Sequence, residues 1–416
     1  MINRIRKLFN KYYNDDIQYF ISSTKFKVIY ELLLFSTGFL ITWLFANITS
    51  IQLYGNYLYI LSIGSFFSFL SFPGISGSIQ QSVASGYKYF YISGMKSEFK
   101  YSIIGSIVIL LFSIYYIFFL DVQISVLISL YILVLFFPFS SSFTSYHSFL
   151  DGQMQFKKDL FYRIISLIIQ DGLLLIMIFI TQNLIVYFLL LMISLLIINI
   201  IITRSCVKSV SHEAINITKE KDALKYGLFL TKVGFLGSIS NNINYFLIGI
   251  VFNPATLAFY TIGIGLPNKL LNLIKGSVST LLSKYSKKGV KIRKNFIVFI
   301  LILSLLLFIF VIIVLPLFMK ILFPKYIDSI TYGLLYSFLV LIVPIATVFG
   351  YYCRAKTDKR TIQNIIIYPN IVKLLLLLPF LYMFGLNGLI FSEYIRWITL
   401  VILLPISLKK KKTLEK

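Results

Sequence analysis

Nine ionisable residues fall inside long apolar stretches of this chain: the bases Arg163, Lys232, Lys269, Lys275, Lys373 and Arg396, and the acids Glu31, Asp171 and Glu393. A charge at the centre of a bilayer costs about 2.5–3.5 kcal/mol even on the mildest insertion scale, so such residues mark ion or substrate pathways by default. Cations in that setting bind phosphate through charge and charge-assisted hydrogen bonds. Local pairing competes with this reading, because Glu393 and Arg396 stand at i,i+3 and Lys27 and Glu31 at i,i+4 on one helix. Arg163 and Lys232 each lie within about two turns of a span end, where a long side chain can snorkel to the interface. Lys269 and Lys373 are central in their spans and are expected to line a water-filled cavity.

Uncharged polar groups accompany them. Ser238, Ser240, Asn241, Asn242 and Asn244 cluster at mid-depth of one stretch, where they either bond across helix contacts or line a hydrated lumen. Pro73-Gly74 interrupts another stretch, frees main-chain groups and should kink or unwind it, which suits a gate but also occurs in inert spans. Fixed cations with hydroxyl and amide walls suggest an anionic, polyhydroxylated cargo. No zinc spacing, phosphate loop or nucleophile triad is present, and His147 and His212 each stand alone, so neither a metal nor a cofactor is expected beyond H+ or Na+ coupling.

The elements that must position these residues follow from composition. Of 416 residues, 58% are apolar, 17% aromatic and 13% charged, which excludes a soluble protein. A mean hydropathy of +0.87 also sets aside nucleic acid as the partner of the +24 net charge. Spans of roughly 20 residues cross a bilayer core. Twelve such stretches occur, at 26–46, 57–82, 101–119, 122–149, 160–180, 184–202, 226–251, 256–282, 296–318, 326–352, 362–382 and 386–406. Thirty-one of the 39 Lys and Arg residues fall in the termini and the even-numbered loops, and the odd loops hold only Lys320 and Lys325. Lys and Arg are retained inside, so both termini are expected on the cytoplasmic side.

A repeat organises the spans. Gly55-Asn56-Tyr57 corresponds to Ala258-Phe259-Tyr260, and the turn from Phe149 to Lys158 to that from Tyr352 to Thr361, at the same offset of 203 residues. The expected fold is an all-α membrane protein of about twelve helices, built as two six-helix bundles related along the membrane normal around a central cleft. The expected divisions are a cytoplasmic N-terminal segment (1–25), a first bundle (26–206), a cytoplasmic linker (207–225), a second bundle (226–408) and a basic cytoplasmic tail (409–416).

Several short motifs then resemble a family. Tyr54-Gly55 opening the second span, Gly152 with Phe156-Lys157, and Leu247-Ile248-Gly249 followed by Pro254, Leu257 and Tyr260 resemble polysaccharide flippases of the Wzx type, in the multidrug/oligosaccharidyl-lipid/polysaccharide exporter superfamily. Asn244 departs from the Asp common in the family, and Ala258 from its usual Gly. The resemblance implies translocation of undecaprenyl-pyrophosphate-linked oligosaccharide repeat units across the bacterial cytoplasmic membrane by alternating access, for O-antigen or capsule. It implies no catalysis, and as partners the bilayer, the lipid-linked cargo, a polysaccharide polymerase and a chain-length regulator.

On that reading the headgroup contacts are Lys269, Lys373, Arg163 and Lys232, in that order, with Asn241, Asn242 and Asn244 as polar lumen and Pro73 and Gly74 as gate. Glu31 and Asp171 are the candidates for exchanging a proton or sodium ion. Competing readings are a flippase for another lipid-linked precursor, a drug or cation antiporter, which would favour acidic lumen residues, and a membrane polymerase. The last would need a large external loop, whereas Asp121 and Asp328 are the only acids in these short ones.

Overall fold

The computed structural model describes residues 15–119, 123–210, 216–279, 294–356 and 359–414, with side chains over 32–118, 123–210, 216–276, 278, 295–353 and 363–404. Hydrocarbon offers no partner to a main-chain N–H or C=O, so so apolar a chain must satisfy these groups internally. The described residues are accordingly 93% helix with no strand. Eleven helices are long and apolar enough to span a membrane, and a twelfth apolar segment, Leu32–Ile48, ends the first helix.

Packing divides the chain into two compact units, Gly38–Ala258 and Met1–Thr37 with Phe259–Lys416. The division falls after the seventh span and not in the segment 207–225. That segment is helical from Ile217, and the tail is helical to Leu414.

The first unit takes α1 (Asp15–Ile48) from Gly38 onward, which leads to α2 (Ile51–Phe67), whose start is capped by Ser50 Oγ accepting the Leu53 N–H at 3.2 Å. A 3-10 turn over Ser68–Ser71 ends at Phe72, which adopts left-handed φ 57°, and α3 (Gly74–Ala84) begins after Pro73. Left-handed backbone is unfavourable for a bulky residue, and the proline supplies no N–H to continue the ladder, so the second span stops and restarts. The restart is fixed by packing. The Gly74 N–H donates to Thr231 Oγ1 at 3.1 Å, and Ser78 Oγ donates to the Ala223 carbonyl at 2.5 Å. The Phe72 ring stacks on Tyr101, 4.6 Å away.

Behind α3 lie the hairpin α4 (Phe90–Phe119) and α5 (Ile124–Ser142), the short α6 (Tyr146–Gly152), α7 (Phe156–Ile180), α8 (Leu184–Lys208) and α9 (Ile217–Leu247). Ile75, Ile79 and Val83 form a buried cluster with Tyr91, Phe149 and Ile202. Close helix approach in membranes depends on small residues. A Cβ on Gly55 would fall on the Pro254 carbonyl, and one on Gly249 would fall on the Tyr59 ring. The scattered motif of Gly55, Gly249 and Pro254 is therefore a single crossing of α2 with the π-helical turn Ile248–Phe252 and the residues that follow it.

The second unit contains most of α10 (Pro254–Ser279), then α11 (Lys294–Leu322), α12 (Ile330–Ser337), α13 (Leu339–Lys356), α14 (Lys359–Phe384) and α15 (Leu386–Leu414). Gly263 and Gly333 bring α10 against α12. Gly385, at φ 56°, closes the turn between α14 and α15, and Gly388 sits against the Phe380 carbonyl, so these two helices run antiparallel in close contact.

Candidate functional site

That tight hairpin sets Lys373 on α14 against Glu393 on α15. Lys373 Nζ donates to Glu393 Oε1 at 2.6 Å, with the lysine side chain 0% and the glutamate 10% exposed. The i,i+3 partner Arg396 approaches the other oxygen, Oε2, at 3.4 Å, so the shorter bond is made across helices and not along α15. Lys275, on α10, lies within electrostatic reach of both Arg396 and Glu393. Its Nζ stands 5.2 Å from the Trp397 ring centre, and the Arg396 guanidinium 5.1 Å. Cation–aromatic contact stabilises charge without neutralising it. Three cations thus gather around one carboxylate, and a group of that composition stays positive after internal pairing.

Lys269 stands apart from this group. It follows Pro267 on α10 and is half-buried, with Nζ 3.4 Å from the Phe35 carbonyl and 5.3 Å from the Phe35 ring centre. The other two headgroup candidates lie in the first unit. Lys232 is exposed on α9. Arg163 Nε donates to Asp159 Oδ2 at 2.6 Å, and His147 Nδ1 lies 2.5 Å from Asp159 Oδ1. The histidine that stands alone in sequence therefore has a carboxylate partner, because the Gln153–Gln155 turn, with Met154 at φ 59°, folds α6 back beside the first turn of α7. His212 lies outside the described residues.

Asn241 is exposed, Asn242 donates to the Ser238 carbonyl at 3.0 Å within its own helix, and Asn244 is buried. Asp171 is half-buried on α7 and interacts with Tyr57. Glu31 belongs to α1, and its side chain lies outside the described residues. Pro73 and Gly74 form the break between α2 and α3. Among the described residues no group of three or more His, Cys, Asp or Glu could hold a metal ion.

One acidic residue was missed by sequence reasoning. Glu98 belongs by sequence to the basic loop holding Lys88, Lys96 and Lys100, yet α4 begins at Phe90 and carries it into a span, where it is 2% exposed. Its Oε1 accepts from Ser76 Oγ at 2.6 Å. The only available signal was the spacing of the charges, one helical turn apart, which leaves Glu98 and the two lysines on different faces.

The family model for "Polysaccharide biosynthesis protein" matches residues 44–331. The chain belongs to that family. No curated protein matches it by sequence. Solved structures share its fold over nearly its whole length. The eukaryotic MATE transporter AtDTX14 has a TM-score of 0.67 at 14% identity, covering 93% of this chain and 96% of that one. The lipid II flippase MurJ, in an inward closed conformation, has a TM-score of 0.65 at 17% identity, covering 94% and 87%. An inward-facing multidrug resistance MATE transporter of the MOP superfamily has a TM-score of 0.64 at 12% identity, covering 93% and 99%. This family member is thus a multi-pass membrane protein whose fold is shared by the MATE transporters and the MurJ flippase.

Proposed function

We propose that this polysaccharide biosynthesis protein is a flippase that carries undecaprenyl-pyrophosphate-linked oligosaccharide repeat units from the inner to the outer leaflet of a bacterial cytoplasmic membrane by alternating access. Both termini are on the cytoplasmic side, and the product enters O-antigen or capsule. The observation that carries the reading is the group of Lys275, Lys373 and Arg396 around the single carboxylate of Glu393. Excess positive charge in a membrane-spanning unit is costly unless an anion compensates it. A pyrophosphate supplies two linked anionic phosphates with acceptor oxygens suited to lysine and to the planar fork of arginine.

Lys373 is committed to Glu393, so the groups with most to offer a headgroup are Lys275, Arg396 and the half-buried Lys269. Arg163, held by Asp159, and Lys232, exposed on α9, are secondary contacts that meet the headgroup on its way. Asn241, Asn242 and Asn244 face the glycan, which needs hydroxyl and amide partners and no charge. The break at Pro73-Gly74 serves as a gate, and Asp171 and Glu31 are secondary ion-coupling candidates. A polymerase and a chain-length regulator take up the product.

The test is complementation of surface polysaccharide in a flippase-deficient strain by Lys275→Gln and Lys269→Gln variants. Surface polysaccharide falling by tenfold or more while the variants accumulate normally in the membrane supports the reading, and wild-type levels from both refute it.

A further inference from the structure

The first unit holds a buried carboxyl, Glu98, to which the proposed function gives no role. Glu98 sits eight residues into α4, about 12 Å along the helix axis from Phe90 at 1.5 Å per residue, and is 2% exposed. No ion pair to it exists among the described residues. The other ionisable groups on its own helix are Tyr91, Lys96, Lys100, Tyr101, Tyr115 and Tyr116, both lysines being exposed, and α3 carries none. Tyr131 lies on α5, and Lys219, Glu220, Lys221, Asp222, Lys225, Tyr226, Lys232 and Tyr245 on α9; of the remaining packed segments α2 adds only tyrosines, and the turn Ser68–Ser71 and the turn before α6 add none. Of all these only the Tyr91 hydroxyl interacts with the carboxylate.

What holds Glu98 is the start of α3. Ser76, in its first turn, donates its hydroxyl to Oε1 at 2.6 Å, and the Ser76 main-chain N–H also interacts with the carboxylate. The first-turn N–H groups of a helix lack intrahelical partners and carry the positive end of its dipole. Here the Gly74 N–H goes to Thr231 and that of Ile75 to the Phe72 carbonyl, and that of Ser76 lies beside the Glu98 carboxylate. Oε2 is buried with no hydrogen-bond partner among the described residues. An ionised carboxylate so placed has one side satisfied by a helix start and the other facing apolar surroundings, whereas a protonated one needs no charge partner.

We propose that Glu98 is a proton-exchange site, its ionised form held by the helix that restarts after the Phe72-Pro73 break. The exchange is a simple transfer: the proton bonds to a carboxyl oxygen on uptake and leaves to water on release, with no other bond changed. The hydroxyl donor to the carboxylate and the main-chain N–H beside it both belong to Ser76, so any movement of the break alters the balance between the two forms, and by linkage the proton biases the break.

The test is infrared difference spectroscopy of the full chain in lipid nanodiscs, following the carbonyl stretch of protonated carboxylic acids across a pH titration. This readout involves no cargo, so its failure is distinct from failure of the flippase reading. The expected result is a band that disappears as the pH rises and is absent from Glu98→Gln. Ser76→Ala, which keeps the carboxyl, shifts the midpoint by about one pH unit, the effect of losing one hydrogen bond to a charged group, whereas Ser97→Ala, whose hydroxyl donates to the Ser93 carbonyl, leaves it in place. A band unchanged in Glu98→Gln, or a midpoint unmoved by Ser76→Ala, would overturn the proposal. If Glu98→Gln does not fold, the Ser76→Ala result alone decides. Loss of the band on adding sodium at constant pH would replace the proton by a metal cation and overturn the assignment.

Discussion

Glu393→Gln isolates the charge at the centre of the site from its shape. The amide keeps the size of the carboxylate and one acceptor oxygen, so the hydrogen bond from Lys373 can persist while the compensating charge is lost. Two magnitudes compete. If the contact is an ordinary interhelical hydrogen bond, cycles in membrane proteins place it near 0.6 kcal/mol. If it is a buried ion pair, removing one partner costs about 3–5 kcal/mol. Lys373 is fully buried, the bond is 2.6 Å long, and Arg396 and Lys275 lose the same counter-charge, so the larger figure is expected.

The assay is a double-mutant cycle with Lys373→Met, reading unfolding free energy in detergent or bicelles. Glu393→Gln alone should destabilise by about 3 kcal/mol or more, and the double variant should recover at least half of that loss, because an apolar methionine no longer needs a counter-ion. A single-variant cost below about 1 kcal/mol, or a double variant as unstable as the single one, would refute the ion-pair reasoning.

Other outcomes follow from the same geometry. Gly249→Val and Gly55→Val put side-chain atoms into the Tyr59 ring and the Pro254 carbonyl and should each cost at least about 1–3 kcal/mol by overpacking, read as thermal stability of purified protein. Gly172→Ala, in α7 with open space around it, should instead be neutral or stabilise by up to about 1 kcal/mol, in the same melts. Asp159→Asn removes the carboxylate between His147 and Arg163 and should cost about 1.5–3 kcal/mol, the range for hydrogen bonds to charged groups, whereas exposed Lys232→Ala should change stability by less than about 0.5 kcal/mol.

Spans were legible because hydropathy is local: a run of twenty apolar residues says helix whatever it packs against, and only the edges shifted. Those edges mattered at Glu98, because a helix that begins at Phe90 and not at Tyr101 moves one acid from a loop into a span. Lys373 could be read as buried but not as paired, since its partner is twenty residues away across a turn whose tightness depends on Gly385 and Gly388. Likewise Asp159 and His147 meet only because α6 folds back on α7, and Lys275 gains its importance from Trp397 and Arg396 on another helix. Gly55, Gly249 and Pro254 were legible as a motif, while the reason for it, one crossing with no room for a side chain, needed three-dimensional contacts.

The most direct test of the central claim is reconstitution. Liposomes containing the full chain are loaded with a short oligosaccharide linked to undecaprenyl pyrophosphate, and arrival of the glycan at the outer leaflet is followed with an impermeant lectin or glycosidase. The wild type should translocate this lipid faster than protein-free liposomes, and Lys275→Gln combined with Lys269→Gln should lose at least tenfold in rate while remaining folded. Translocation by that folded double variant at the wild-type rate, or none by the wild type, would contradict the account.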